Sequence, residues 1–313
     1  MDNPPVNITR RQYYSQVQSL FDPIGFLAPV LLTAKILLRR TWEDGCEKLA
    51  WDDPLPLALV KDIIHFFIEL FALEDVSFSR SLLPKNEKIV GGPELVIFSD
   101  GSVTAFGSVV YIRWRLDSNT WWSTLVLSKS KIAPKNRLTI PRLELNGAVL
   151  SKRLDEFVCN NLDLEFERVH HLVDSSTVLG YVHKPDAKLK PFEGVRVSEI
   201  QTAGKFVDGR LNDWAWIDTE NNPADWATKP RSVADLKSGG FWQKGPEFLE
   251  KNVEDWPIKL DFRRDKLEGE LQAKGVHMAL VATEMGDVLS GLLDRCSDAK
   301  KLFRITAYQF KWI

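Results

Sequence analysis

Apolar and polar positions repeat with a helical period over the first part of the chain. Residues 9–43 read as helical, and a partly apolar face recurs at spacings of four, three and four residues: Leu31, Lys35, Leu38 and Trp42. Pro54 and Pro56 follow, and a second amphipathic pattern runs from Leu57 to Leu73. We therefore expect residues 1–85 to form an all-helical subdomain.

From Glu94 onward the pattern changes to that of β-strands. Three apolar runs follow one another at 95–98, 107–116 and 120–127. Asp117, Ser118 and Asn119 supply turn residues between the last two runs. This spacing predicts a three-stranded antiparallel meander.

A helix, a strand and a second helix are predicted after residue 140. Pro141 stands where the first helix begins, and its core-facing positions recur every three or four residues: Leu143, Gly147, Leu150, Leu154 and Phe157. Val169–Val173 is the next apolar run, and Ser175 is placed to cap the helix that comes after it.

Three more elements complete the pattern up to about residue 235. They are a helix near 195–203, a strand at 214–217 and a short helix that begins at Pro223. The resulting order, βββ-α-β-α-β-α, predicts a mixed α/β fold over residues 90–235, with helices packed on one sheet. The signal is weaker over 241–313. There we expect packed loops around Trp242 and Trp256, an exposed helix or linker at 263–274 and an amphipathic end at 302–313.

Composition narrows the class of protein. The 313 residues include 41 basic and 43 acidic ones, and the net charge of −2 does not indicate nucleic-acid binding. Any surface that binds nucleic acid must therefore be a local one. Cys46, Cys159 and Cys296 are odd in number and far apart, which favours reduced thiols. The longest apolar stretch, 24–38, has 15 residues and is too short to span a bilayer. We expect an intracellular protein.

Four acidic residues stand at positions where a sheet of this kind places ligands: Asp100, Glu144, Asp174 and Asp225. Each has an ordinary alternative role. Asp100 precedes Gly101 and could be a turn residue, whereas Glu144 could be a solvated helix residue. Asp174 could cap a helix, and Asp225 is favoured in a first helical turn by the helix dipole. These alternatives are independent of one another, and they do not account for the joint order of the four residues.

Carboxylates drawn from several elements suit metal-assisted phosphodiester hydrolysis. That reaction uses two hard cations roughly 3.5–4 Å apart, one to activate water and one to stabilise the leaving oxygen. Carboxylate oxygens are natural ligands for such ions. The four acidic residues therefore predict a site for two Mg²⁺ or Mn²⁺ ions.

A local basic run lies between the third strand and the helix of Glu144: Lys129, Lys131, Lys135, Arg137 and Arg142. A solvated loop is one reading of these residues. The other is a contact surface for a phosphate backbone beside the carboxylates. Contacts to a phosphate backbone carry no sequence information, so we expect no sequence-specific readout of bases.

Four segments carry a family resemblance: FSDGSVTAFGSVVY, LSKSKIAPKNRLTIPRLELNGAVLSKRL, HLVDSSTVLGYV and TENNPADWATKP. They resemble the ribonuclease H region of BEL/Pao-type retrotransposon polyproteins. Upstream, QSLFDPIGFLAPVLLTAKILLRRTW is similar to the segment that joins the reverse-transcriptase palm to that region. Downstream, FWQKGPEFL and LFRITAYQFKWI are similar to the stretch leading towards the integrase. The resemblance covers nearly the whole chain.

The resemblance implies a ribonuclease H-like five-stranded mixed sheet over 90–235. It implies a thumb or connection segment at 1–85 and an extension towards the integrase at 236–313. The implied activity is metal-dependent cleavage of the RNA strand of RNA/DNA hybrids, with two Mg²⁺ or Mn²⁺ ions held by Asp100, Glu144, Asp174 and Asp225. The implied partners are the hybrid and the reverse-transcriptase and integrase segments of Pol, in a cytoplasmic virus-like particle or the nucleus, without a membrane.

Two departures from the pattern concern the rate of the reaction. Many ribonucleases H carry a His ahead of the last Asp, whereas Trp216, Ile217 and Asp218 stand in that neighbourhood here. The first motif reads Ser-Asp-Gly-Ser, where the retroelement pattern more often has Asp-Ala-Ser. We expect slow turnover with the metal ligand retained.

Two other functions stay open. Members of this family are often classed as Pao retrotransposon peptidases, but aspartic peptidases pair two Asp-Thr/Ser-Gly loops and this sequence contains no such triplet. The chain could also be a noncatalytic scaffold within a reverse transcriptase, or the relic of a decayed element.

Overall fold

The computed structural model describes residues 7–43, 45–135, 138–184, 188–202, 204, 206–207 and 210–259. The predictions made for 263–274 and 302–313 lie outside these ranges. No helix among the described residues is both long and apolar enough to cross a membrane.

Three helices form the N-terminal part: α1 Arg10–Ser19, α2 Ala28–Arg40 and α3 Leu57–Leu70. The prediction of one helical stretch over 9–43 was wrong between 20 and 27. There the Asp22 carboxylate accepts hydrogen bonds from the backbone N–H groups of Phe26 and Leu27, both at 2.9 Å. Gly25 has a φ of +76°, which breaks the helical path.

The buried face of α2 is shifted by one residue from the predicted one. Its buried row is Val30, Ala34, Leu37 and Thr41, whereas Leu31, Lys35, Leu38 and Trp42 are only partly buried. In α3 the predicted face is confirmed at Leu59, Ile63 and Phe66. A short 3-10 helix, Phe71–Asp75, follows α3 directly.

Five strands form the main sheet: β1 Glu94–Gly101, β2 Ala105–Arg115, β3 Trp121–Ile132, β4 Arg168–Val173 and β7 Trp214–Trp216. Their order is β3-β2-β1-β4-β7. The first three are antiparallel, and β4 is parallel to both β1 and β7. The predicted meander and mixed five-stranded sheet are confirmed. A small hairpin that was not predicted pairs β5 Phe206–Val207 with β6 Arg210–Leu211.

Helices cover both faces of this sheet: α4 Ile140–Asn161, α5 Ser176–Val182, α6 Pro191–Gln201, α7 Ala224–Thr228 and α8 Phe241–Lys244. Leu150 and Leu154 of α4 pack with Leu95 and Ile97 of β1 on one face. The alternate residues of β1 belong to a second cluster on the other face, which includes residues of α1, α2 and α3. The chain is thus a mixed α/β fold in which the N-terminal helices share a core with the sheet.

The segment 241–259, here called the C-terminal strap, is fastened to the sheet by buried groups. The indole N–H of Trp242 donates to the carbonyl of Phe26 at 2.8 Å, and the Tyr111 hydroxyl donates to the carbonyl of Trp242 at 2.9 Å. Trp242 is fully buried and Trp256 nearly so. The prediction that both tryptophans are packed is confirmed.

One buried arginine ties the strap to β1 and β2. Arg113 forms an ion pair with Glu94 at 2.5 Å and donates to the carbonyl of Lys251 at 2.7 Å. Its guanidinium also lies between the rings of Trp121 and Trp256, 3.8 and 4.4 Å from their centroids. Because a buried charge must be paired and hydrogen-bonded, this arrangement holds the strap against β1 and β2.

Candidate active site

Asp100 and Asp174 lie at the carboxyl ends of two neighbouring parallel strands. β1 pairs with β4 up to Ser99 opposite Val173, and the next residue of each chain segment is one of the two aspartates. Neighbouring strands lie about 4.8 Å apart, so the two carboxylates start from adjacent backbone positions. The strand-end placement expected for both residues is found in the structure.

Glu144 is brought to the end of β1 by two close backbone approaches. A Cβ at Gly101 would lie 2.2 Å from the backbone nitrogen of Glu144. A Cβ at Gly147, one turn further along α4, would lie 2.5 Å from the carbonyl oxygen of Asp100. Only glycine permits contacts this short, so these two positions set the distance between α4 and the first aspartate.

Asp225 reaches the same end of the sheet on α7. The side-chain amide of Asn222 donates to the carbonyl of Ser99 at 3.1 Å, which holds the start of α7 against β1. One turn later, the buried Thr228 hydroxyl donates to Oδ2 of Asp100. Asp225 therefore stands beside Asp100 although 125 residues separate them in sequence.

The four carboxylates act on one another electrostatically. The pKa of Asp174 is raised to about 7, first by burial and then by the negative charges of Asp100 and Glu144. Burial also raises the pKa of Asp100, and the charge of Asp225 adds to this rise. Like charges shift one another in this way only when they are close. We call Asp100, Glu144, Asp174 and Asp225 the acidic cluster.

Neighbouring polar groups hold the members of the acidic cluster in place. The Ser175 hydroxyl donates to Oε2 of Glu144 at 2.6 Å while it also caps α5, as predicted. The Thr219 hydroxyl donates to Oδ2 of Asp174 at 3.1 Å. Thus one oxygen each of Glu144, Asp174 and Asp100 is bound by a hydroxyl, and the three hydroxyls come from different elements.

The two ends of the cluster differ in the positive charge they receive. Asp225 is paired with the Lys229 ammonium and, at 3.2 Å, with the Arg231 guanidinium. Among the residues that the structure describes, Asp174 is paired with no such cation, and its Oδ1 atom is buried without a hydrogen bond from another residue. Uncompensated negative charge is therefore concentrated at Asp174.

The carboxylate oxygens of the acidic cluster are of the kind that binds a hard divalent cation. Their spacing in the structure does not by itself form a complete set of metal ligands. Carboxylate oxygens are the ligands of Mg²⁺ and Mn²⁺, and the buried Oδ1 of Asp174 has a lone pair to offer. Within the part of the chain that the structure describes, no three His, Cys, Asp or Glu side chains form a group that could hold a metal ion. The carboxylates present are chemically suited to such an ion, and the unbonded Oδ1 of Asp174 is the observation that supports this.

The predicted basic residues are divided among several elements. Lys129 and Lys131 lie exposed on β3, and Lys135 lies exposed in the connection that follows. Arg142 donates to Glu193 at 2.7 Å and lies over the ring of Phe192. Arg137 lies outside the described residues. Arg142 is thus engaged with α6, while Lys129 and Lys131 belong to the outer strand and Lys135 follows it.

Sequence reasoning missed most residues that hold the carboxylates. Thr219, Thr228 and Asn222 were not singled out, nor were the cations beside Asp225. A signal existed for Thr228 and Lys229, which follow Asp225 by three and four residues within the ADWATK segment and so lie on its side of a helix. The hydroxyl of Thr219 acts from another element, and nothing local in the sequence indicates its contact.

The segment just ahead of Asp225 includes no His, and one of its residues, Trp216, instead contacts Asp174 through its indole. The Trp216 N–H donates to the backbone carbonyl of Asp174 at 2.8 Å. This bond positions the main chain of Asp174, but an indole has no proton to exchange near neutral pH.

A second acid–base group lies under α4 and is closed to substrates. The Ser151 hydroxyl contacts Nδ1 of His171 at 2.7 Å, and Nε2 of the same ring lies 3.5 Å from Asp155. The His171 ring also stacks on Trp214 with centroids 4.4 Å apart. Ser151 is completely buried, so this group fixes α4 on β4 and offers no reachable nucleophile.

Several solved structures are similar to this chain. The N-terminal RNase H domain of Rv2228c from Mycobacterium tuberculosis, solved as a fusion with maltose-binding protein, is 17% identical with a TM-score of 0.29, covering 43% of this chain and 95% of that one. RNase H1 from Halobacterium salinarum NRC-1 is 12% identical with a TM-score of 0.25, covering 42% and 88%. LC11-RNase H1, solved in complex with an RNA/DNA hybrid, is 10% identical with a TM-score of 0.26, also covering 42% and 88%.

A family comparison matches more than half of the chain. None of the curated proteins compared with the chain matches it. The sequence model of one family, described as Pao retrotransposon-like RNaseH-like domain, matches residues 9–175. The matched range includes the N-terminal helices, the meander, α4 and β4, and it agrees with the resemblance seen in the sequence. The chain belongs to the Pao retrotransposon-like RNaseH-like domain family.

Proposed function

We propose that the chain is a ribonuclease H-type nuclease that cleaves the RNA strand of RNA/DNA hybrids. The observation that carries this proposal is the acidic cluster at the carboxyl ends of β1 and β4, with its uncompensated charge at Asp174. Phosphodiester hydrolysis needs such a site because the substrate itself is anionic and cannot approach bare carboxylates without cations. Membership of an RNaseH-like family supports the same reaction.

In this proposal Asp100, Glu144, Asp174 and Asp225 hold two Mg²⁺ or Mn²⁺ ions. When bound, the ions would activate water and stabilise the leaving oxygen of the phosphodiester. The chain's own polar groups orient the ligands, since hydroxyl donors act on Asp100, Glu144 and Asp174. Lys229 and Arg231 hold the Asp225 carboxylate through ion pairs to its two oxygens.

The wider context of the chain is also part of the proposal. The activity would belong to a retrotransposon Pol polyprotein, beside reverse-transcriptase and integrase segments, in the cytoplasm or the nucleus. The division into a connection-like part at 1–85, a nuclease part at 90–235 and an extension at 236–313 stays a prediction.

Cleavage of a labelled RNA strand in an RNA/DNA duplex tests the proposed reaction. We expect the parent protein to cut with Mg²⁺ or Mn²⁺ and not in EDTA. Asp100→Asn and Asp174→Asn should each lower the rate by roughly a thousandfold or more, because the ions lose a charged ligand. Asp75→Asn, at an exposed position outside the cluster, is the matched control and should cut like the parent.

A noncatalytic scaffold is the second candidate, and one observation favours it. Asp225 is already neutralised by two cations, and no three-ligand group is formed among the residues that the structure describes. A folded parent that does not cut hybrids with either metal would establish the scaffold. The peptidase alternative gains no support, since the triplet motif is missing from the sequence. Pepstatin-sensitive proteolysis without metal would revive it.

A further inference from the structure

A groove along the outer strand β3, between α2 and α4, lies apart from the acidic cluster. It has a cavity volume of about 760 Å³ and is lined by five segments: the end of α1, the connection 20–25, α2, β3 and the second half of α4. We call it the β3–α4 groove. None of the predicted site carboxylates lines it.

The connection forms a fixed wall of this groove. The backbone N–H of Ser128 donates to the carbonyl of Ile24 at 2.9 Å. A Cβ at Gly25 would lie 2.0 Å from the carbonyl oxygen of Ser128, so the connection can approach β3 this closely only with glycine there. The connection therefore covers the backbone of β3 at this point, and a ligand in the groove meets side chains.

Most of the groove lining is apolar, and the charged side chains among it are mainly basic. Lys35, Lys129 and Lys131 reach it from two elements, and Asp22 is the acidic residue among the lining side chains. Both oxygens of Asp22 accept backbone N–H groups, and Lys35 donates to the carbonyl of Ser130 at 3.1 Å. Arg153 also lines the groove but is bound to Glu199 at 2.5 Å. The lysines leave a local excess of positive charge.

Burial and a like charge both act on the central lysine. Burial lowers the pKa of Lys35, the charge of Asp22 opposes this change, and the nearby charge of Lys129 lowers the pKa further. An anion placed between Lys35 and Lys129 would relieve this repulsion.

The groove begins at the end of the sheet that carries the acidic cluster. Lys131 pairs with Phe106, which pairs with Gly101, so Lys131 lies two strand spacings, about 10 Å, from the residue after Asp100. On α4 the groove is lined from Leu150 to Phe157, and Phe157 lies about 20 Å along the helix from Glu144. Phe157 was predicted to face the core, but 55% of its surface is exposed at the groove.

We propose that the β3–α4 groove binds the phosphate backbone of one nucleic-acid strand, with Lys35, Lys129 and Lys131 as phosphate contacts and Phe157 as a surface on which a base stacks. Basic grooves with exposed aromatic rings bind single strands in this way without reading their sequence. The proposal rests on the proposed function in that the strand is part of the nucleic acid that reaches the acidic cluster.

The test measures binding without cleavage. Fluorescence anisotropy in EDTA would follow a labelled oligothymidylate and a labelled RNA/DNA hybrid over a range of salt concentrations. The groove variant is Lys129→Gln with Lys131→Gln, and its control is Lys48→Gln with Lys61→Gln, which removes the same charge from exposed positions outside the groove. Phe157→Ala is compared with Phe71→Ala, whose ring is also exposed.

The groove variant should bind both probes at least about tenfold more weakly than the parent. For the single strand, its slope of log affinity against log salt should fall by about 1.4, since each neutralised phosphate contributes roughly 0.7. Phe157→Ala should bind the single strand at least about fivefold more weakly, and both controls should match the parent.

Equal affinities and slopes for the groove variant and its control would overturn this inference, as would a parent that binds neither probe. The proposed function can fail separately. A protein that binds through the groove but does not cut hybrids would retain the inference and lose the nuclease activity.

Discussion

At the scale of single residues, Asp174 carries the least compensated charge in the described part of the acidic cluster. Its ordinary pKa of 3.8 is raised to about 7 in the folded chain, while one of its oxygens has no hydrogen bond from another residue. A carboxylate that is buried near other negative charges lowers the stability of the fold. Such residues are found where function requires them.

Asp174→Asn should therefore stabilise the metal-free protein at alkaline pH. Because the folded pKa is above the unfolded one, the parent loses stability as the pH rises from about 4 to about 7, and Asn removes this loss. We expect a gain of about 1–2 kcal/mol at about pH 8 and less than half of that at about pH 5, where the unfolded carboxyl is ionised and the folded one is not. A fully buried carboxyl would give about 4, but Asp174 is partly exposed.

Urea denaturation in EDTA at the two pH values would check this expectation. The account of Asp174 would be wrong if the variant were less stable than the parent at the higher pH, or if the difference between them were the same at both.

The strand ends and helix starts in the sequence were enough to place the four carboxylates at one end of the sheet, and their role as the site stays a prediction. They were not enough to predict Thr219 or Trp216, which act on Asp174 from more than 40 residues away. A hydroxyl can donate to any acceptor that the fold brings near it, so its partner is decided by tertiary structure and leaves no local pattern.

At the scale of secondary-structure elements, the distance between α4 and β1 decides whether Glu144 can act with Asp100. Gly147 sets this distance, since a Cβ there would lie 2.5 Å from the carbonyl oxygen of Asp100. Gly147→Ala should destabilise the fold by about 2 kcal/mol through overpacking, and it should also reduce hybrid cleavage.

Gly194→Ala is the matched control for this prediction. Gly194 also lies in a helix, α6, but the nearest atoms to its Cβ would be 3.9 Å away. Alanine there should be neutral or stabilise by up to about 1 kcal/mol, because it has the higher helix propensity. Similar melting temperatures for the two variants would contradict a tight α4–β1 contact.

The elements themselves were largely predictable, while their faces were less so. The stripe of α3 was found because polar residues clearly mark its other side. In α2 nearly every position from Ala28 to Leu38 is apolar, so periodicity could not fix which row is buried, and the predicted row was one residue off. Phe157 continued the apolar period of α4, but the buried row runs from Leu154 to Val158, so Phe157 lies beside the face that packs on the sheet.

At the scale of the whole molecule, residues that are distant in sequence pack into the same hydrophobic core. Trp242 is completely buried. Its indole N–H donates to Phe26, between α1 and α2, and its carbonyl accepts from Tyr111 of β2. A prediction of the nuclease part as 90–235 alone omits this contact. The sequence indicated that Trp242 was packed. It could not indicate which residues Trp242 contacts, because those residues are more than 130 positions away.

Trp242→Ala should lower the stability of the whole fold by about 3–5 kcal/mol, the range for removing a buried tryptophan. Trp51→Ala is the control, since that ring is 41% exposed, and it should cost clearly less. Thermal unfolding followed by circular dichroism would compare them. Equal losses would mean that the strap is not part of the core.

The central claim, that the acidic cluster binds divalent cations, is tested most directly by calorimetric titration of Mn²⁺ into the protein at neutral pH. The account predicts that the parent and Asp75→Asn bind two ions, and that Asp100→Asn and Asp174→Asn each lose at least one. A folded parent that binds no Mn²⁺, or aspartate variants that bind it as the parent does, would contradict the account.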